Sequence, residues 1–266
     1  MKNSPIGIFD SGVGGLTVVK ELTREMPNED IIYFGDTARV PYGTKSASTI
    51  QKFSIQNVLF LLKRNVKLII IACNTSSAIG LPFLSEYFSI PIIGVIKPGA
   101  KAAVRSTRNG RIGVIGTSAT VLSGAYDKEI RSLNSGIKVY SSSCPLFVPL
   151  AEEGWANDGI VDIVARKYLA AFKGRKIDTL IMGCTHYPLL RSSIQRVMGK
   201  GVKLIDSAEE TAKEAKNLLE ECGLKSAAKR KAGSRFYVSD APDKFRAVAK
   251  RFLGKDTKAV EKVDDV

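Results

Sequence analysis

The chain has 266 residues, 44% of them apolar, which suffices for one large or two medium cores, and no apolar run approaches the roughly 18 residues of a spanning helix. Its four cysteines are too sparse for a disulfide framework, and Met1–Pro5 leads directly into a strand pattern without a secretory signal, so a soluble cytoplasmic protein is expected. Lys and Arg number 40 against 26 acidic residues, and the formal charge of +14 raises nucleic acid as a partner without establishing it.

Short apolar runs predict strands at Ile6–Asp10, Ile31–Asp36, Lys67–Cys73, Pro91–Ile96, Arg111–Gly116, Lys138–Ser142, Thr179–Cys184, Val202–Asp206 and Arg235–Ser239. Between them, amphipathic stretches such as Leu16–Met26 and Thr49–Arg64 carry apolar residues at helical spacing. This alternation is that of parallel sheets covered by helices. The chain also repeats itself: Lys67–Thr75 aligns with Asp178–His186, Ile90–Ile96 with Val202–Ser207 and Ile6–Gly12 with Ile112–Ser118, at a nearly constant offset. The expected fold is α/β, with two similar parallel-sheet domains related by pseudo-symmetry and a site in the cleft between them. Residues 1–97 plus 208–266 would form the first domain and residues 98–207 the second. The tail after Gly254 is expected to fray.

The first strand ends in DSGVGGL, which puts the carboxylate of Asp10 and the hydroxyl of Ser11 at the mouth of a crevice, with glycines for a tight turn into a helix. A dinucleotide fingerprint would need glycine where Thr17 stands. Next, Pro41-Tyr42-Gly43 reads either as a plain turn or as an ordered loop whose N–H groups and Tyr42 hydroxyl suit a substrate carboxylate.

Cys73 and Cys184 each close an apolar run, LIIIAC and LIMGC, at matching points of the repeat. Asn74 and Thr75 follow the first into a predicted helix start; Thr185 and His186 follow the second, with Pro188 suited to a first helical turn. A helix amino terminus favours thiolate, so both cysteines are expected to have lowered pKa values. With a single histidine and no paired ligand spacing, a metal site is not expected. One cysteine at a strand end is ordinarily inert core. Two at equivalent positions, each followed by polar groups, suggest proton transfer: a thiolate removes a proton from one face of a carbon and the opposite thiol delivers one to the other.

The segments DSGVGGLTV, YFGDTARVPYG, ACNTSSA, GTSATV (Gly116–Val121), CPLFVPLAEEG (Cys144–Gly154) and GCTHYPLL, in this order, resemble the motif series of the bacterial glutamate racemases, in the cofactor-independent aspartate/glutamate racemase superfamily. The resemblance implies interconversion of L- and D-glutamate with no cofactor, supplying D-glutamate for peptidoglycan. It implies that Cys73 and Cys184 are the acid/base groups, that Asp10 supports the first and His186 the second, and that Ser11, Pro41, Tyr42, Gly43, Asn74, Thr75 and Thr185 contact substrate. Thr117 and Thr120 are expected in the wall, and a glutamate of the AEEG segment near the site, Glu153 in preference to Glu152. So few residues precede the first strand that an extension binding a cell-wall precursor as activator is not expected.

Three alternatives remain at this stage: a racemase of aspartate or another amino acid, a non-catalytic binding protein with sensor cysteines, and a nucleic-acid binder. The basic excess of Lys225–Arg235 and Pro242–Lys255 reads as a solvated loop and a helix face, without any nucleic-acid motif. No membrane partner is expected, and a homodimer stays open.

Overall fold

The computed structural model describes residues 2–156, 158–228, 232–257 and 259–264. Its strands are β1 (Ile6–Asp10), β2 (Ile31–Gly35), β3 (Leu68–Ile71), β4 (Ile92–Gly94), β5 (Arg111–Gly116), β6 (Lys138–Ser143), β7 (Thr179–Gly183), β8 (Lys203–Asp206), β9 (Ser234–Val238) and β10 (Val260–Lys262). They form two sheets, ordered β10-β9-β2-β1-β3-β4 and β6-β5-β7-β8, and every pairing is parallel. The order β2-β1-β3-β4 repeats as β6-β5-β7-β8, and the three segment pairs aligned in the sequence are β1 with β5, β3 with β7 and β4 with β8.

The helices are α1 (Leu16–Glu25), α2 (Ala47–Leu62), α3 (Asn74–Ile79), α4 (Leu81–Tyr87), α5 (Ile96–Ser106), α6 (Ser118–Leu122), α7 (Ala125–Leu133), α8 (Phe147–Glu152), α9 (Gly159–Leu169), α10 (Arg191–Met198), α11 (Ser207–Glu221) and α12 (Pro242–Leu253). Both faces of each sheet are covered, which is why β1, β2, β3 and β7 are buried at every residue and read as unbroken apolar runs. The two-residue period sorts their side chains: Ile6, Ile8 and Ile70 pack with α1, α11 and α12, whereas Phe9, Ile69 and Ile71 pack with α2 and α4. On the second sheet, Ile115 and Leu180 join α8, α9 and α10, and Val114 and Ile181 join α5 and α7.

Two expectations change. The tail after Gly254 is not wholly frayed, because Val260–Lys262 pairs with Phe236–Val238 and extends the first sheet. The chain passes from the first sheet to the second through α5 and returns through α11. Of the basic segment, residues 229–231 lie outside the described residues; its flanks are tied back, with Ser226 N donating to Glu29 Oε1 at 2.6 Å and Gly233 N to Asp30 Oδ1 at 2.8 Å. Among the described residues no helix is long and apolar enough to cross a membrane.

Strand register positions the chemistry. Phe9 lies beside Ile71, so Asp10–Ser11 and Ala72–Cys73 leave the first sheet side by side. Gly116 lies beside Gly183, so Thr117 and Cys184 leave the second in the same way. Each pair flanks the point where the chain switches sides of its sheet, the usual ligand crevice of parallel α/β sheets.

The two cores set an order of sensitivity. Ile70→Ala, at a fully buried central position, is expected to destabilise by about 2–5 kcal/mol. Ending the chain after Thr257 removes only a short edge strand, three strands from β1, and is expected to lower the melting temperature less; thermal melts of the two variants check the order.

Candidate active site

The carboxyl ends of the central strands of the two sheets meet at a cavity of about 330 Å³. Ser11, Pro41, Tyr42, Gly43, Cys73, Asn74 and Thr75 line it from the first half, and Thr117, Cys184, Thr185 and His186 from the second. Three expected residues do not. Asp10 is fully buried beneath the cavity, Thr120 stands behind Thr117, and Glu153 points to solvent.

Cys73 caps α3, and its thiol donates to Ser11 Oγ at 3.7 Å. Burial and then the nearby Asp10 carboxylate push this thiol up to about 11, against the lowering by the Ser76 N–H and the hydroxyls of Ser11 and Ser76. The expected lowering is therefore reversed at Cys73. A six-residue helix offers only partial charges, and these lose to the desolvation of a thiolate beside a carboxylate. Asp10 itself accepts from Gly12 N at 2.9 Å through Oδ2, while Oδ1 is buried without a partner. Burial raises its pKa, opposed by the charge of His186 and by the N–H groups of Gly12 and Gly15.

Cys184 has a different setting. It is followed by a turn and then a 3-10 stretch, Tyr187–Leu190, so the helix argument does not apply to it. Its sulfur lies 3.8 Å from His186 Nδ1, and His186 Nε2 lies 2.8 Å from Glu152 Oε1. Burial alone would keep the imidazole neutral, but hydrogen bonds to Cys184 and Glu152 raise it to about 10. Glu152 is held below its ordinary range despite partial burial, because His186 bonds and charges against it. The acidic neighbour is thus Glu152 and not Glu153: α8 ends at Glu152 with that side chain turned inward, and its cap residue Glu153 faces outward.

Packing fixes this arrangement. A Cβ on Gly14 would lie 2.2 Å from Thr185 Oγ1 and 2.6 Å from the His186 ring, so only glycine lets the first half approach the second here. Phe252 of α12 meets the His186 ring edge-on at 5.5 Å, and the exposed Arg251 donates to the Glu152 carbonyl oxygen, so one basic side chain of α12 is engaged by the rest of the protein. The hydroxyls of Thr75, Thr117 and Thr120 lie within 2.9–3.2 Å of one another across the cleft. The Tyr42 hydroxyl is not available to a ligand. It donates to the buried Asp36, which also accepts from Arg39 and Ser239, and leaves the loop's backbone to supply donors to the cavity. Sequence reasoning missed Val40, Val148 and Pro149 in the lining; the last two lie in the CPLFVPLAEEG segment, whose glutamate was the only part marked.

Residues 7–215 match the Asp/Glu/hydantoin racemase family. The chain is 51% identical to a glutamate racemase of Geobacter metallireducens over 249 residues, covering 94% of this chain and 92% of that protein. Among solved structures, a glutamate racemase isoform of Bacillus anthracis superposes with a TM-score of 0.96 at 42% identity, covering 99% and 98% of the two chains. The glutamate racemase of Francisella tularensis, solved with D-glutamate, gives 0.94 at 47% identity, covering 100% and 99%. The chain belongs to the Asp/Glu/hydantoin racemase family. Members of such a family must move a proton between two faces of a carbon, and here two thiols line one cavity from opposite halves of the fold.

The single histidine makes the charge assignment measurable. Because the folded value, about 10, lies above the ordinary 6.5, the folded protein keeps a proton that the unfolded chain has lost. That stabilisation is fully present below about pH 6.5 and is lost as pH rises towards 10. The imidazole signals in NMR are expected to stay those of the cation well above pH 6.5, to titrate earlier in Glu152→Gln, and to be unchanged in Glu153→Gln. His186→Gln is expected to flatten the decline of melting temperature with pH over the same interval.

Proposed function

We propose that this protein is a glutamate racemase that exchanges the Cα proton of glutamate between Cys73 and Cys184, with no cofactor, and supplies D-glutamate for peptidoglycan in the cytoplasm. The observation that carries this reading is the pair of thiols lining one small cavity from opposite halves, each with its own charged neighbour. Residues 1–97 plus 208–266 and residues 98–207 would be the two domains that close on the substrate.

The α-proton of an amino acid is a far weaker acid than a thiol. Removing it requires that the developing carbanion be stabilised by donors held in a dry site. Asn74, Thr75 and Thr185 are the donors assigned to the substrate carboxylates, helped by the backbone of Tyr42 and Gly43. In the resting protein Cys73 is the protonated thiol, since its pKa is raised to about 11. The His186 cation faces the Cys184 sulfur at 3.8 Å. Cys184 then takes the proton from one face, Cys73 delivers one to the other, and the reverse direction exchanges the roles. Asp10 stands beside Cys73 and the His186–Glu152 pair beside Cys184, so the two thiols have different charged neighbours.

Cys73→Ala and Cys184→Ala are each expected to reduce racemisation of both enantiomers by orders of magnitude with the circular dichroism of the fold retained. Product formed in deuterated water is expected to carry deuterium at Cα, because each thiol exchanges with solvent; product retaining its original hydrogen would mean that one base serves both faces.

Selectivity supplies a further test. A site whose donors are set for the γ-carboxylate leaves them unpaired when the substrate is one methylene shorter, and unpaired buried donors reduce rate by powers of ten. The ratio of kcat/KM for L-glutamate over L-aspartate is expected to exceed about a hundred on that principle. Comparable values would remove glutamate as the substrate while leaving the racemase family intact.

A further inference from the structure

Tyr126 stands on α7, with its ring so close under β7 that a Cβ on Gly183 would lie 2.9 Å from Cε2. Its hydroxyl is buried, donates to Asn74 Oδ1 at 2.7 Å and lies 3.0 Å from Ser207 Oγ. A phenol has one hydrogen; spent on Asn74, it leaves Ser207 to donate to the phenol oxygen. The bonds therefore run in one direction, from the Ser207 hydroxyl to the Tyr126 hydroxyl to the Asn74 carbonyl.

An amide whose carbonyl oxygen is held in this way has only its NH2 group left to offer elsewhere. Asn74 lines the cavity from the first half, next to Cys73, whereas Tyr126 belongs to a helix packed on the second sheet. The bond that orients the amide thus exists only when the two halves are docked. Its far end lies where the chain changes sheets: Ser207 opens α11, Gly99 lies in the first turn of α5, and a Cβ on Gly99 would come within 2.8 Å of Ser207 Oγ and 3.4 Å of the Tyr126 hydroxyl. Glycine at 99 leaves room for the relay at the point where both crossings meet.

We propose that Tyr126 is a positioning residue for the racemisation: its hydroxyl holds Asn74 with the amide NH2 turned to the substrate, and does so only when the second half is seated on the first. The presentation of this donor is thereby coupled to closure of the cleft. The proposal rests on the reading of Asn74 as a substrate donor in a glutamate racemase. It extends that reading to a residue that does not line the cavity and to the coupling of the two halves.

The test is a double-mutant cycle on kcat and KM for L-glutamate with the parent protein, Tyr126→Phe, Asn74→Ala and the double variant. Tyr126→Phe keeps the packed ring and is expected to lower kcat/KM on the order of tenfold, the loss expected of one orienting hydrogen bond. In the Asn74→Ala background the same change is expected to add little, because the hydroxyl has nothing left to orient. Ser207→Ala removes the rear partner but leaves the phenol donating to Asn74, so its loss is expected to be smaller than that of Tyr126→Phe. Losses that multiply in the double variant, or an unimpaired Tyr126→Phe, overturn the relay in an active parent protein. A parent that does not racemise glutamate, or an Asn74→Ala variant with full activity, is instead the failure of the functional reading and removes the relay with it.

Discussion

The imidazole of His186 is where both halves of the chain converge. Its own half supplies the Cys184 sulfur on one ring nitrogen and the Glu152 carboxylate on the other. The opposite half supplies the gap left by Gly14 and the edge of Phe252. A buried imidazolium is tolerated only where counter-charges stand at hydrogen-bond range, so the cation depends on α8 being held with Glu152 inward. Arg251, donating to the carbonyl of that residue, ties α8 to the last helix of the chain. The carboxyl-terminal elements, β9, α12 and β10, thus complete the first sheet and brace the site in the second.

The pseudo-symmetry supplies geometry, and departures from it supply electrostatics. Cys73 and Cys184 occupy equivalent positions after equivalent strands, yet burial beside a carboxylate raises one thiol while an imidazolium faces the other. Where two like groups share a site, different surroundings divide the roles of acid and base. Equal surroundings would leave the proton with no preferred starting place. Asp10 has one oxygen bound by the Gly12 N–H and the other unpartnered; burial raises its pKa, and the His186 charge opposes that rise.

At the cleft, small polar contacts stand beside apolar ones, such as Ala119 against the Tyr42 and Cys73 cluster and Leu189 against the first core. The Thr75, Thr117 and Thr120 hydroxyls form one cluster across it, and a Cβ on Gly43 would lie 2.8 Å from that of Thr117. The loop that carries Gly43 is fixed from behind by Asp36, whose partners Tyr42, Arg39 and Ser239 come from both ends of the chain. Hydroxyls and glycines permit close approach of the two halves at this point. Such an interface suits a site that must admit a small zwitterion and then exclude water.

The sequence by itself determined most of the strands, their repeat along the chain and the placing of Cys73 and Cys184 at strand ends, because all three follow from local patterns. An apolar run fully buried in a parallel sheet has a period and an ending that neighbours along the chain dictate, and nine of the strands were legible for that reason. The tenth was not: Val260–Lys262 is short and charged, and it is a strand only because β9 presents an open edge. Charge was decided by tertiary structure alone. A helix start at Cys73 suggests a thiolate when read locally, but the pKa depends on how much water is lost and on a carboxylate sixty-odd positions away at Asp10. In the same way the AEEG segment favoured Glu153 on sequence, and only the packing of α8 beside His186 turns Glu152 inward and leaves Glu153 in solvent. Local pattern fixes where a backbone goes; desolvation and the distances between side chains remote in sequence fix what each group does there.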